Sequence, residues 1–237
     1  MGKRIIAQRR GKGGPGYISP SHKHHGQAKI PRAMDVAATV VDLEHAPGRS
    51  TPLATLKLPD GKEHKVIANE GLRLGQSVAI GGNAPVTPGN TTFLRHIPEG
   101  TPVFNVEGSP FDGGKFARAA GNYATVMGTE PGGRVIVQMP SGKTKVFHPD
   151  CRATIGVPAG GGHGDKPFVK AGKMFGRTRA RATRWPIVRG VAMNPIDHPH
   201  GGGSHNYPGK PTSMARGTSP GRMVGKVAPR RTGRKKV

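Results

Sequence analysis

The alternation of apolar and polar positions changes character twice along the chain. Between residues 33 and 165, short β-branched runs are separated by turn residues, the pattern of antiparallel strands. The spacing predicts strands over 36–43, 53–58, 64–68 and 76–80, and, after a Pro/Gly/Thr-rich stretch over 83–92, over 103–106, 123–127, 134–139 and 144–147. Two predicted hairpins, Leu58-Pro59-Asp60-Gly61-Lys62 and Met139-Pro140-Ser141-Gly142-Lys143, share an apolar-Pro-x-Gly-Lys layout. Their glycines supply the positive φ that a tight hairpin needs. Many short strands at intervals of roughly 8–12 residues suggest small closed barrels, which leave no exposed sheet edge. The expected fold is therefore mainly β, with two small antiparallel barrels over 33–85 and 86–165. Outside them the periodicity is lost. Residues 11–16 and 19–25 have neither helical nor strand period, and 177–184 alternates arginine with small residues in a way that suits either a short helix or an extended strand.

Composition explains why the ends lack period. Of 237 residues, 38 are Gly and 23 Pro, only 33% are hydrophobic, and the formal net charge is +24. Self-repulsion of that size opposes a compact fold unless a polyanion cancels it. The charge is also segregated. Residues 1–32 carry eight Lys and Arg and no acid; residues 166–237 carry seventeen and a single acid, Asp197; residues 33–165 carry twelve of each sign. A neutral middle can fold by itself, whereas a basic N-terminal arm (1–32) and a basic Gly/Pro-rich C-terminal extension (166–237) are expected to order against something negatively charged. Cys151 is alone, so neither an intrachain disulfide nor a Cys-rich zinc site is expected and the chain reads as intracellular. No apolar run approaches the roughly 18 residues of a membrane span, and the N-terminus has no apolar core of signal-peptide length.

Several motifs invite enzymatic readings and fail them. Gly11, Gly13 and Gly16 satisfy G-x-G-x-x-G, but Arg9-Arg10 precede them and Tyr17-Ile18-Ser19-Pro20 follow, where a dinucleotide site needs a strand and a helix. Gly142-Lys143-Thr144 ends like a phosphate-binding loop, yet its first glycine would fall on Val137. His22, His24 and His25, and likewise His198, His200 and His205, lack the Cys or carboxylate partners of a zinc site, apart from Asp197. Ser204 beside His205 lacks the strained elbow of a nucleophile. Asp197 alone is placed to fix a histidine tautomer. The triple glycines at 160–162 and 201–203, with His163 beside the first and His200 and His205 about the second, suit a backbone that closely approaches nucleic acid.

The segment from Arg189 to Gly203, RGVAMNPIDHPHGGG, closely resembles the signature of the large ribosomal subunit protein 2 family, one of the universal ribosomal protein families. Support comes from KFARAAGNYA at 115–124, MPSGK at 139–143, AGGG at 159–162, Lys166-Pro167, Lys170-Ala171-Gly172 and Trp185-Pro186. Ser204-His205, Gly209-Lys210-Pro211 and RRTGR at 230–234 resemble the archaeal or eukaryotic branch. Ile196 where the pattern more often has Val, and Tyr207 within the variable loop, are modest departures.

The resemblance implies an OB-like barrel followed by an SH3-like barrel, with both basic extensions threaded into large-subunit rRNA. It implies a structural protein rather than an enzyme, located in cytoplasmic ribosomes near the subunit interface, supporting subunit association, tRNA binding and the peptidyl-transfer centre. Expected partners are rRNA, neighbouring ribosomal proteins and the small subunit, with no membrane and no homo-oligomer. No cofactor or protein-held metal is implied; Mg2+ or K+ at the rRNA interface is compatible with it. The expected RNA-binding residues in the N-terminal arm are Lys3, Arg4, Arg9, Arg10, Lys12, Lys23, His24, Lys29 and Arg32, with Arg118 in the middle. In the C-terminal extension they are Lys166, Lys170, Lys173, Arg177, Arg179, Arg181, Arg184, Arg189, Asn194, His198, His200, Gly201, Gly202, Gly203, His205, Lys210, Arg216, Arg222, Arg230, Arg231 and Arg234. Tyr17, Trp185 and Tyr207 are candidate stacking side chains. An alternative makes His198 or His200 a general base in direct histidine-assisted peptidyl transfer. A third reading, a free-standing OB-type single-strand binder, is disfavoured by the scarcity of aromatics, 5% of the chain.

Overall fold

The structure, a computed structural model, describes residues 2–233. The chain divides into two compact units, one made of residues 1–19 with 170–237, the other of residues 20–169.

The 20–169 unit is mainly β, as its patterning requires. Its strands are β1 (Val36–Glu44), β2 (Leu53–Lys57), β3 (Glu63–Ile67), β4 (Ser77–Ile80), β5 (Thr91–Phe93), β6 (Pro102–Phe104), β7 (Ala124–Thr129), β8 (Val135–Gln138), β9 (Thr144–Phe147) and β10 (Arg152–Ile155). They form one continuous ten-stranded sheet in the order β3-β2-β1-β4-β5-β10-β6-β7-β8-β9. All pairings are antiparallel except β4 with β5, which meet in parallel at Ile80 and Thr91. The two glycine turns are built alike. Leu58 N–H donates to the Lys62 carbonyl at 3.0 Å and Met139 N–H to the Lys143 carbonyl at 2.8 Å, around Gly61 at φ +82° and Gly142 at φ +81°.

Two apolar clusters sit on this sheet. One gathers Val40, Leu56, Leu58, Val78 and Ile80 from β1, β2 and β4 and their flanks; the other gathers Val103, Val126, Val135, Val137, Phe147 and Ile155 from β6 to β10. A third cluster of Ala28, Ala46, Leu53, Ile67 and Phe104 draws on strands from both halves. Residues 28–31 belong to this packing. Ala28 and Ile30 are buried, Lys29 N–H donates to the Lys65 carbonyl and Ile30 N–H to the Gly113 carbonyl, each at 3.0 Å.

Strands β5 and β10 lie where the sequence pattern predicts none, and they are the ones that join the halves. β5 is the short Thr91-Thr92-Phe93, buried throughout, and Thr91 Oγ1 lies 3.0 Å from Thr154 Oγ1 of β10. β10 opens with an arginine that is fully buried. The Arg152 guanidinium donates to the equally buried Glu107 carboxylate through Nη2 at 2.8 Å and to the Pro31 carbonyl through Nη1 at 2.7 Å. It also stacks 4.7 Å over the Phe111 ring. The carboxylate further accepts the backbone N–H groups of Arg152 at 2.9 Å and of Phe111 and Gly113 at 3.1 Å. Every polar atom of the pair is thereby occupied, the condition under which a buried ion pair is tolerated.

The other unit contains two short helices, α1 (Ile6–Gly11) and α2 (Ala171–Arg179), and a two-residue parallel pair, β11 (Ser213–Met214) with β12 (Lys226–Val227). The basic run over 177–184 thus starts as helix and leaves it after Arg179. α1 lies in the arm for which no element was expected. α2 contains Gly172 and Gly176 and no side-chain N-cap, a composition that favours helix poorly in isolation. Among the described residues of this unit only Thr178, Met214 and Val224 are buried.

Removing one partner of the central ion pair leaves a buried charge unmatched. Arg152→Ala is expected to cost about 3–5 kcal/mol in the urea unfolding of the full chain. Arg95→Ala, which breaks an exposed pair with Asp150 at 2.8 Å, is expected to cost at most about 1 kcal/mol.

Candidate nucleic-acid interface

The unit formed by residues 1–19 and 170–237 holds five Lys and Arg in its first segment and sixteen in its second, against the single acid Asp197. That acid is already engaged. Lys3 Nζ lies 3.3 Å from its carboxylate, and Lys3 N–H donates to the Ile196 carbonyl at 2.7 Å, so the start of the chain is tied to the 189–203 loop. The 20–169 unit, by contrast, sets sixteen Lys and Arg against twelve acids.

The 189–203 loop is a compact knot of backbone hydrogen bonds. Met193 N–H donates to the Gly190 carbonyl at 3.2 Å, Gly201 N–H to the His198 carbonyl at 2.9 Å and Gly202 N–H to the Met193 carbonyl at 3.0 Å. Glycine is needed for close approach at Gly190, Gly201 and Gly202. A Cβ on Gly190 would stand 2.3 Å from the His198 ring, and one on Gly201 would stand 2.4 Å from the Asn194 carbonyl oxygen. The two imidazoles of His198 and His200 lie 5.0 Å apart, tilted by 57°.

His198 Nδ1 accepts the His200 backbone N–H at 3.0 Å. Burial, and secondarily the neighbouring His200, lower the His198 pKa from its ordinary value, which favours the neutral ring. With Nδ1 used as acceptor, the neutral ring carries its proton on Nε2 and is a donor there, the wrong polarity for a general base. Asp197 does not set this tautomer; its carboxylate faces Lys3. His200 Nε2 is buried and meets no hydrogen-bond partner among the described residues.

The structure brings most of the expected RNA-binding residues into this one unit. Lys3, Arg4, Arg9, Arg10, Lys12, Lys170, Lys173, Arg179, Arg184, Arg189, Asn194, Gly203, His205, Lys210, Arg216, Arg222, Arg230 and Arg231 are exposed there. Arg177, Arg181, His198, His200, Gly201 and Gly202 are half-buried. Of the stacking candidates, Tyr207 is the most exposed at 70%, and Trp185 is half-buried. Tyr17 receives a hydrogen bond from Arg184 Nη1 at 3.0 Å on its hydroxyl, with the guanidinium 5.7 Å from the ring centre. Arg234 lies outside the described residues.

The remaining residues fall in the 20–169 unit. Lys23, Lys29, Arg32 and Lys166 are exposed, and the Lys29 stem lies against Gly113. The His24 ring packs on Gly48, where a Cβ would approach it to 2.5 Å. Arg118 is half-buried and donates to the Ala28 carbonyl, which ties 28–30 to the loop before β7. Burial and the neighbouring Arg49 lower its pKa from the ordinary arginine value. His25 stands 2.6 Å from Glu44, which also takes Lys65 at 2.9 Å. No group of three His, Cys, Asp or Glu able to hold a metal occurs among the described residues. The glycines at 160–162 serve a contact inside the protein, since the Gly121 and Gly161 backbones meet so closely that a Cβ on Gly121 would stand 2.8 Å from the Gly161 Cα.

Gly201→Ala should force the 189–203 loop open at a cost of about 1–3 kcal/mol. Affinity for a large-subunit rRNA fragment is expected to fall about tenfold, the equivalent of 1.4 kcal/mol. Gly217→Ala, where an added Cβ meets nothing within 4 Å, should bind as the wild type. A filter-binding titration of the three proteins checks this.

Two family models match the chain. Residues 2–80 match the RNA binding N-terminal domain of Ribosomal Proteins L2, and residues 87–222 match the C-terminal domain. The chain is 55% identical to large ribosomal subunit protein uL2 of Archaeoglobus fulgidus over 98% of its own length and 99% of that protein's. It is 52% identical to the uL2 of Methanopyrus kandleri, covering 99% and 98% of the two chains, and 52% identical to that of Methanococcus vannielii, covering 99% and 100%. The likeness runs through both compact units, including the 189–203 loop, and the chain belongs to the ribosomal protein L2 family.

Proposed function

We propose that this chain is a structural constituent of the large subunit in cytoplasmic ribosomes, and that the 1–19/170–237 unit binds large-subunit rRNA by neutralising phosphates where RNA helices crowd together. The observation that carries this reading is the ratio of twenty-one Lys and Arg to one acid in a unit with three buried side chains among its described residues. Such a unit gains its order from a polyanion, and RNA phosphates supply one. Phosphate contacts position the protein, and shape, 2′-hydroxyls and exposed bases then supply selectivity. The near-balanced sheet unit acts as a rigid anchor, with Lys23, Lys29, Arg32 and Lys166 as further phosphate contacts. In this role the protein supports subunit association, tRNA binding and the peptidyl-transfer centre by holding rRNA in place. It works as a single copy beside other ribosomal proteins and faces the small subunit. Mg2+ or K+ at the interface would be held mainly by RNA oxygens.

Salt titration tests the reading. If about ten phosphates are neutralised, affinity for an rRNA fragment falls by about 10⁵ between 50 and 200 mM salt. A 20–169 fragment should lose most of the affinity and most of the salt slope; equal affinity and slope for fragment and full chain would refute the proposal. The donor polarity of His198 predicts a further result. Subunits carrying His198→Gln or His200→Gln that assemble correctly should transfer peptide at the wild-type single-turnover rate.

A further inference from the structure

Within the 1–19/170–237 unit, residues 2–8 and the segments around 195–199 and 220–224 enclose a groove of about 400 Å³. That volume falls in the range of roughly 300–1,000 Å³ typical of small-molecule sites. Its lining is of two kinds. Ile5, Pro195, Pro199 and Val224 give it apolar walls, and Lys3 and Arg4 give it cations. Lys3 is partly compensated by Asp197, the only acid of the unit, so Arg4 is the less neutralised of the two. His198 also lines the groove, and with its Nδ1 taken by the His200 N–H its neutral ring offers an Nε2–H donor.

The geometry points to a site for one unstacked nucleotide of the bound RNA, its base against the aliphatic and proline walls and its phosphate at Lys3 and Arg4. This rests on the rRNA-binding reading. A bare phosphate has no use for apolar walls, and an apolar side chain from a protein neighbour has no use for the paired cations. A nucleotide needs both, and recognition of RNA commonly takes bases out of the stack in this way. The groove is composed of segments almost two hundred residues apart in sequence, and its selectivity would come from space and one donor rather than from an aromatic platform.

Gly221 supplies a clean test. It lines the groove, its φ is not in the left-handed region, and an added Cβ meets nothing within 4 Å. Gly221→Phe therefore fills the groove without removing a charge, and Gly221→Ala serves as the control. The probe is a large-subunit rRNA fragment bound by the full chain and mapped by nucleotide-resolution chemical modification. Wild type and Gly221→Ala are expected to protect an unpaired nucleotide that Gly221→Phe leaves reactive, with affinity about tenfold lower in Gly221→Phe and an unchanged salt slope. Arg4→Gln should expose the same nucleotide and lower the salt slope by about 0.7–0.9, the share of one phosphate. The inference is overturned if both variants give the wild-type footprint, or if affinity falls with no change at an individual nucleotide. Absence of salt-dependent binding by the wild type would instead refute the broader rRNA reading.

Discussion

The buried contact between Glu107 and Arg152 is the interaction on which the sheet unit depends. It joins three stretches distant in sequence: the 30–31 segment through the Pro31 carbonyl, the 107–114 loop through two backbone N–H groups, and β10 through its first residue. Hydrophobic side chains of similar volume would avoid the desolvation cost of two charges. The ion pair has direction, however, and an arginine with carbonyl, carboxylate and ring partners fits one arrangement of those segments. β10 lies between β5 and β6, so fixing Arg152 also fixes the strand that hydrogen-bonds to both.

The basic unit meets the opposite constraint. It has twenty-one cations and one anion, and three buried side chains among its described residues. Its internal order comes from backbone hydrogen bonds, close glycine contacts and the Lys3–Asp197 and Tyr17–Arg184 pairings. Ordering each residue costs on the order of 1–2 kcal/mol in backbone entropy, which exposed polar contacts of this kind do not offset in water. In the proposed complex RNA removes the repulsion and adds charge-assisted contacts. On the proposed reading, one chain contains a unit that folds on apolar burial and another whose stability is linked to its ligand.

Much of this was legible in the sequence, and what escaped has identifiable causes. Eight strands followed from β-branched runs and glycine turns. β5 was hidden because a three-residue strand inside a Pro/Gly/Thr-rich stretch carries no period, and β10 because an arginine at its head reads as surface. Residues 20–32 looked like part of a basic arm by charge, yet Ala28 and Ile30 are buried with the sheet unit, a contact that net charge does not reveal. The basic interface was visible as a charge imbalance. The polarity of His198 was not, because Asp197 is its neighbour in sequence while the His200 N–H is its partner in space. The groove was equally hidden, since Ile5 and Val224 converge only in the folded unit.

On the proposed reading, one chain holds a self-sufficient sheet unit and a basic unit whose stability comes from RNA. Hydrogen exchange of the full chain, free and bound to a large-subunit rRNA fragment, tests it most directly. Slowly exchanging amides should be confined to residues 20–169 in the free protein, with strong protection spreading to 2–19 and 170–233 only on RNA binding. Equally strong protection of both units in the free protein, unchanged when RNA is added, would contradict the account.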